Sequence, residues 1–194
     1  MSEPDSREDG MDQASACSDF LERVKRIHAQ LGIPDDYADN SGLPLCSEPA
    51  QLVQAERDYY GRPQRLEANA FRAWSEMKTA AAEAGVALHL ISAFRDIDYQ
   101  CGLILKKLDQ GQTIEEILRV NAAPGFSEHH TGRAIDIGTT GCDALVEDFE
   151  NTEAFQWLSQ HATEFGFSLS YPHGNPLGIS YEPWHWCYKN DSES

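Results

Sequence analysis

Positive charge is scarce in this chain. Lys and Arg number 15 against 32 Asp and Glu, for a net charge of −17, and residues 134–188 contain neither cation. Nucleic-acid phosphates are bound by clustered Lys and Arg, so no nucleic-acid partner is expected. A mostly acidic surface repels polyanions. An anionic substrate would need a few well-placed cations, and Arg95, Arg133 or a metal are the candidates. Long apolar runs are lacking too: nothing approaches the roughly 20 residues of a membrane span, so no membrane partner is expected. Residues 1–12 have neither a basic n-region nor an apolar h-region. No secretory signal is read there, and a cytoplasmic location is expected. Cysteine is sparse. The five residues, at 17, 46, 101, 142 and 187, are odd in number, widely spaced and free of any C-x-x-C pair. Reduced thiols are the default in that compartment.

What is present suffices for one folded domain. Hydrophobic residues make up 41% of 194 positions and aromatics 10%, enough for a real core. Residues 1–16 are acidic and aperiodic and read as a disordered tail; residues 17–190 read as a single domain. Phe20, Leu21, Val24, Ile27 and Leu31 recur at helical spacing until Gly32 and Pro34. Residues 33–50, with Pro34, Pro44 and Pro49, read as a loop of unassigned role. Leu66, Ala70, Trp74, Met77 and Ala81 mark a second helix closed by Gly85, and residues 86–93 a strand. A helix is expected over 97–109. Thr113 and Glu116 form a capping box for a shorter one, ended by the Ala-Pro-Gly at 123–125. Phe155, Leu158, Ala162 and Phe165 mark another helix, stopped by Gly166, and 167–188 read as short strands and turns. Helices first and strands late argue for an α+β fold rather than βαβ alternation.

The chemistry concentrates in two stretches. Residues 127–136 read S-E-H-H-T-G-R-A-I-D, with His129 and Asp136 seven apart, Gly132 permitting a turn, and A-I-D-I-G reading as a strand. A hydrolytic zinc site needs three protein ligands, an open position and a base beside it. The third ligand is sought in Y-E-P-W-H-W-C-Y, residues 181–188: His185, with Glu182 as the base. Residues three apart on a regular strand face opposite ways, so Pro183 and its neighbours would have to bend the chain. His130 remains an alternative to His129, while His28, His89, His161 and His173 read as structural or solvated. Spacing alone supports only a metal site of undetermined role.

The stretch at 127–136 matches the S-x-H-x-x-G-x-A-x-D signature of the VanY-type D-alanyl-D-alanine carboxypeptidases, zinc peptidases related to the VanX dipeptidases and the hedgehog domain. E-P-W-H matches their E-x-W-H. I-S-A-F-R-D-I-D-Y-Q, residues 91–100, resembles their S-G-Y-R-S-x-x-x-Q segment. The resemblance spans about residues 60–188 and keeps the family's order. It implies a hedgehog/D-Ala-D-Ala-peptidase-like zinc fold with a central antiparallel sheet and packed helices. It implies one zinc per chain on His129, Asp136 and His185, Glu182 as general base, and Arg95 on the oxyanion. Ser127 and Gln100 would contact substrate, Trp184 and Trp186 would wall the cleft, and Arg133 would meet a substrate carboxylate or be a surface charge. Ala93, Phe94 and Asp96 stand where glycine, tyrosine and serine are common.

The substrate class implied is the peptidoglycan stem peptide, losing its C-terminal D-alanine. An L,D-carboxypeptidase would turn tetrapeptide into tripeptide, a D,D-carboxypeptidase would trim the D-Ala-D-Ala pentapeptide, and a zinc-stabilised binding module would cut neither. The expected cytoplasmic location favours the L,D reaction, in peptidoglycan recycling. Retention of Glu182 and Arg95 argues against a module that only binds.

Overall fold

The protein is described by a computed structural model covering residues 8–189, with side chains from residue 18. Of the tail expected over 1–16, residues 1–7 lie outside the described residues. Residues 8–16 are helical, opening α1 (Glu8–Leu31). Once a helix is nucleated, each further residue adds a hydrogen bond, which lets the apolar face from Phe20 onward carry a polar extension. Residue 190, the end of the expected domain, is also outside the described residues.

Six helices and six strands follow in the order α1, α2 (Tyr37–Ser41), β1 (Val53–Arg57), β2 (Pro63–Leu66), α3 (Ala68–Glu83), β3 (His89–Ser92), α4 (Ile97–Asp109), α5 (Ile114–Leu118), β4 (Ala134–Gly138), α6 (Glu153–His161), β5 (Phe167–Leu169) and β6 (His185–Tyr188) among the described residues. The expected α+β class and antiparallel sheet are found: β3-β4-β6-β5 form one antiparallel sheet. The helix over 97–109 and the Thr113–Glu116 capping box stand as expected.

Four local expectations are corrected. Leu66 ends strand β2 rather than opening α3; Glu67 caps that helix by accepting from the Asn69 and Ala70 amides. The strand expected over 86–93 is shorter, because the Val86 amide is bonded back to Ala81 at the exit of α3. The helix through Phe165 ends at His161 and tightens into a 3-10 turn over Ala162–Phe165. The loop at 33–50 contains α2.

The hairpin β1–β2 was not legible in advance. Its organiser is Asp58, whose carboxylate accepts from the Tyr60 and Arg62 amides, the Arg62 guanidinium and Gln64. Burial alone would raise this carboxyl, but those hydrogen bonds and the Arg62 charge lower it. The hairpin buttresses the chain that carries Arg95: Tyr59 N donates to Leu90 O, Phe94 N to Arg65 O, and Ala93 N to the Gln64 side chain.

Strand alternation then sorts the sheet's two faces. Ile135, Ile137 and Trp186 join Trp74, Met77 and Leu158 in one core. Val24, Ile27, Ile97, Ile104 and Ile117 form a second core with Phe126 and Tyr171. Asp136 and His185, directly paired across β4 and β6, project from the sheet on the face opposite Ile135 and Trp186.

The turn into β4 depends on Gly132, held at φ +67°. A Cβ there would stand 2.5 Å from Leu52 Cδ2 and 3.0 Å from the Glu67 amide nitrogen. Gly132→Ala is therefore expected to cost roughly 1–3 kcal/mol in a denaturant melt. An unchanged midpoint would mean that the turn and Leu52 give way freely.

Candidate metal centre

Three structural devices bring the site together. The β4–β6 register places Asp136 opposite His185, and paired residues share a face. His129 comes from the 3-10 turn Glu128–Thr131. That turn is pinned to the loop after β3: the Arg95 amide donates to His129 O, His129 Nδ1 donates to Ala93 O at 2.6 Å, and His130 Nδ1 donates to Arg95 O at 2.6 Å. Finally, Pro183 sits second in a turn closed by His185 N donating to Glu182 O. Proline's fixed φ suits that position. This is the bend the sequence required, and it leaves Glu182 Oε2 3.9 Å from His185 Nδ1.

One donor atom each from His129, Asp136 and His185 lie within 4.8 Å of one another, and all three residues are buried. His129 Nε2 is 3.3 Å, and His185 Nδ1 3.2 Å, from Asp136 Oδ1. Ligands about 2.0–2.1 Å from a tetrahedral zinc are separated by roughly 3.3 Å. The chemistry of the pair is as informative as its size. A carbonyl only accepts, so the Ala93 contact fixes the proton on His129 Nδ1. Burial, and then the Arg95 charge, push His129 down to about 4, so Nε2 presents a bare lone pair to a carboxylate oxygen. That nitrogen is buried and has no hydrogen-bond partner among the described residues. Burial would raise Asp136, but its contacts with His129 and His185 and the Arg95 charge hold it far below the usual carboxylate range. Two electron-rich buried atoms at this distance call for a cation between them. The residues fit a zinc-type ion.

His130 is not one of the three clustered residues; its Nδ1 holds the Arg95 backbone carbonyl. Glu182 is raised to about 7, mainly by burial and then by Asp136, against the pull of His185, Arg95 and Lys107. That is the range of a carboxyl able both to take and to give a proton. Glu182, Arg95, Ser127 and Trp184 line one cleft of about 340 Å³ together with Asp136 and His185. Arg95 Nε is buried without a partner there among the described residues.

Three expected contacts are placed elsewhere. Gln100 is buried on α4 and donates to the carbonyl of Ala122, a residue of the cleft wall, but is not itself among the lining residues. Arg133 is not among the lining residues; its charge acts on Cys46, Cys187 and Lys189. Trp186 is packed in the core and donates to Pro183 O. Phe94, standing where tyrosine is common, lines a neighbouring hollow and stacks on Arg65. Its departure therefore leaves the cleft itself untouched.

Two contributors had been overlooked. Glu128 accepts from His185 Nε2 at 2.9 Å and from Lys189 Nζ at 3.0 Å, and it binds the Ser170 hydroxyl. Its signal was its place beside His129 inside the motif. Tyr171 packs against His185 with the rings tilted by 39° and their centroids 4.8 Å apart; burial and nearby Glu128 and Glu182 keep its phenol protonated.

Over residues 63–191 the chain matches the VanY family model, described as D-alanyl-D-alanine carboxypeptidase. It is 32% identical over 119 residues to a D-alanyl-D-alanine carboxypeptidase of Enterococcus faecium, covering 59% of this chain and 34% of that one. The chain thus spans about a third of the length of that curated relative. The LD-carboxypeptidase LdcB overlays with a TM-score of 0.64 at 30% identity, covering 73% of this chain and 69% of that chain. A VanY D,D-pentapeptidase mutant from a VanB-type resistance cassette, in complex with Zn(II), overlays with a TM-score of 0.58 at 25% identity, covering 77% and 88%.

A carboxylate that fixes a ligating imidazole typically contributes about 10–100-fold to metal affinity. Glu128→Ala is expected to weaken zinc binding by about that factor, read by competition with a chromophoric chelator, with the fold retained. Wild-type affinity in the variant would remove Glu128 from the site.

Proposed function

The chain belongs to the VanY family of D-alanyl-D-alanine carboxypeptidases, and from that premise we propose that it is a zinc carboxypeptidase releasing C-terminal D-alanine from peptidoglycan stem peptides. The observation that carries the reading is Glu182, a buried carboxyl raised to about 7 and 3.9 Å from His185 Nδ1 in the metal-ligand triad. A site that only bound zinc would have no use for a base so placed. One zinc per chain, held by His129, Asp136 and His185, would supply Lewis-acid polarisation of water and of the peptide carbonyl.

The protein's own groups do the rest. Glu182 takes a proton from the attacking water and delivers it to the nitrogen of the departing residue. Water is thereby added across the C–N bond, leaving a new carboxylate and a free amine. The Arg95 guanidinium, with an unpartnered buried Nε, faces the oxygen on which negative charge develops. Ser127 and Tyr171 offer hydroxyls along the wall, and Trp184 closes the apolar side.

Within this reading, removal of D-alanine from a tetrapeptide is favoured. The likeness to the LD-carboxypeptidase LdcB, at 30% identity and a TM-score of 0.64, supports it. In peptidoglycan recycling, that reaction would trim tetrapeptides to tripeptides. The D,D reading has its own support in the description of the matching family.

Mass spectrometry of zinc-loaded protein with separate tetrapeptide and pentapeptide stems tests both. Loss of one D-alanine from the tetrapeptide alone is expected, with Glu182→Ala slower by about 10²–10⁴-fold. Loss from the pentapeptide alone would install the D,D reading, and cleavage of neither would remove the peptidase proposal.

A further inference from the structure

The cleft's charges are unevenly supplied. Asp136, Glu147 and Glu182 bring negative charge to its wall; Arg95 and Lys107 bring the positive. Residues 134–188, which form most of the far wall, hold no Lys or Arg at all. A carboxypeptidase must admit a substrate ending in a free carboxylate, and the acids in this cleft repel one. Arg95 is engaged beside the metal ligands, close enough for its charge to act on His129 and Asp136. Lys107 is then the cation left over.

Lys107 lies in the last turn of α4, whose other end begins beside Arg95. Helical side chains lean toward the N-terminus of their helix, so this ammonium leans back along α4 toward Arg95 and the cleft it lines. It is half-buried, makes no hydrogen bond or ion pair among the described residues, and lies within electrostatic reach of both Arg95 and Glu182. One residue of extended peptide spans about 3.3–3.6 Å. A carboxylate one residue beyond a carbonyl held at Arg95 therefore stays inside the cleft that Lys107 also lines.

We propose that Lys107 is the specificity-determining cation that receives the substrate's terminal carboxylate. This rests on the carboxypeptidase reading above and assigns a task that Gln100, buried with its side-chain amide tied to Ala122 O and not among the lining residues, does not perform here. Burial and the Arg95 charge lower the Lys107 ammonium somewhat, as expected where an arriving anion relieves the repulsion between two cations.

The test is a binding comparison in zinc-loaded Glu182→Ala protein, which holds peptide without turnover. The probe is a short peptide ending in D-alanine, as the free acid and as the C-terminal amide, titrated by calorimetry. The free acid is expected to bind at least about tenfold more tightly. Lys107→Met should erase that preference, while Lys107→Arg should keep most of it, with melting points showing both variants folded. An acid preference undiminished in Lys107→Met, or no preference in the parent, overturns the proposal. The stem-peptide assay fails or succeeds separately: D-alanine release with an unaltered Lys107→Met protein would leave the peptidase reading standing and remove this one.

Discussion

A buried imidazole lone pair pointing at a buried carboxylate oxygen 3.3 Å away is the constraint on which the rest of this site depends. Among the described residues His129 Nε2 has no hydrogen-bond partner, while His185 Nδ1 at 3.2 Å and the Arg95 charge offset only the carboxylate's side of the pair. The proton that would turn His129 Nε2 into a donor is held on Nδ1 by the Ala93 carbonyl, and burial opposes a second one. The arrangement costs free energy unless a cation enters, so the fold amounts to a frame that keeps two electron-rich atoms together.

That frame is made largely of backbone. The neighbouring histidines are tied to alternate carbonyls of one loop, His129 to Ala93 and His130 to Arg95. The motif and the arginine segment thus form one unit, although they are far apart in sequence. The β1–β2 hairpin braces the same loop from behind through Phe94 and Ala93. A metal ligand, a charge for the oxyanion and a strand end are therefore positioned by the same few hydrogen bonds. Glu128 extends the logic outward by holding the far nitrogen of His185.

Much of this was legible in the sequence, and the reason differs from residue to residue. His129, Asp136, His185 and Glu182 could be named because their spacing within short motifs is local. The helices over 97–109 and after Thr113 could be read because capping and periodicity are local too. The hairpin at 53–66 was missed because its strands are short and its organiser, Asp58, acts through contacts that no apolar pattern encodes. Gln100 was placed at the substrate by motif alone. Its side chain is instead held by the carbonyl of Ala122, a residue of the cleft wall, while Lys107, two turns onward on the same side of the helix, lines the cleft. The face of α4 that meets the cleft is set by packing of Ile97 and Ile104 in the second core, which the motif does not record.

Zinc K-edge X-ray absorption of the zinc-loaded protein addresses the central claim most directly, because it tells nitrogen and oxygen ligands from sulfur. Cys46 and Cys187 are free and buried, and both feel the charge of Glu128. The account predicts one zinc per chain with a shell of nitrogen and oxygen only, at about 2.0–2.2 Å, and the scattering signature of two imidazoles. A sulfur shell near about 2.3 Å, or zinc bound undiminished after His129→Ala, would contradict it.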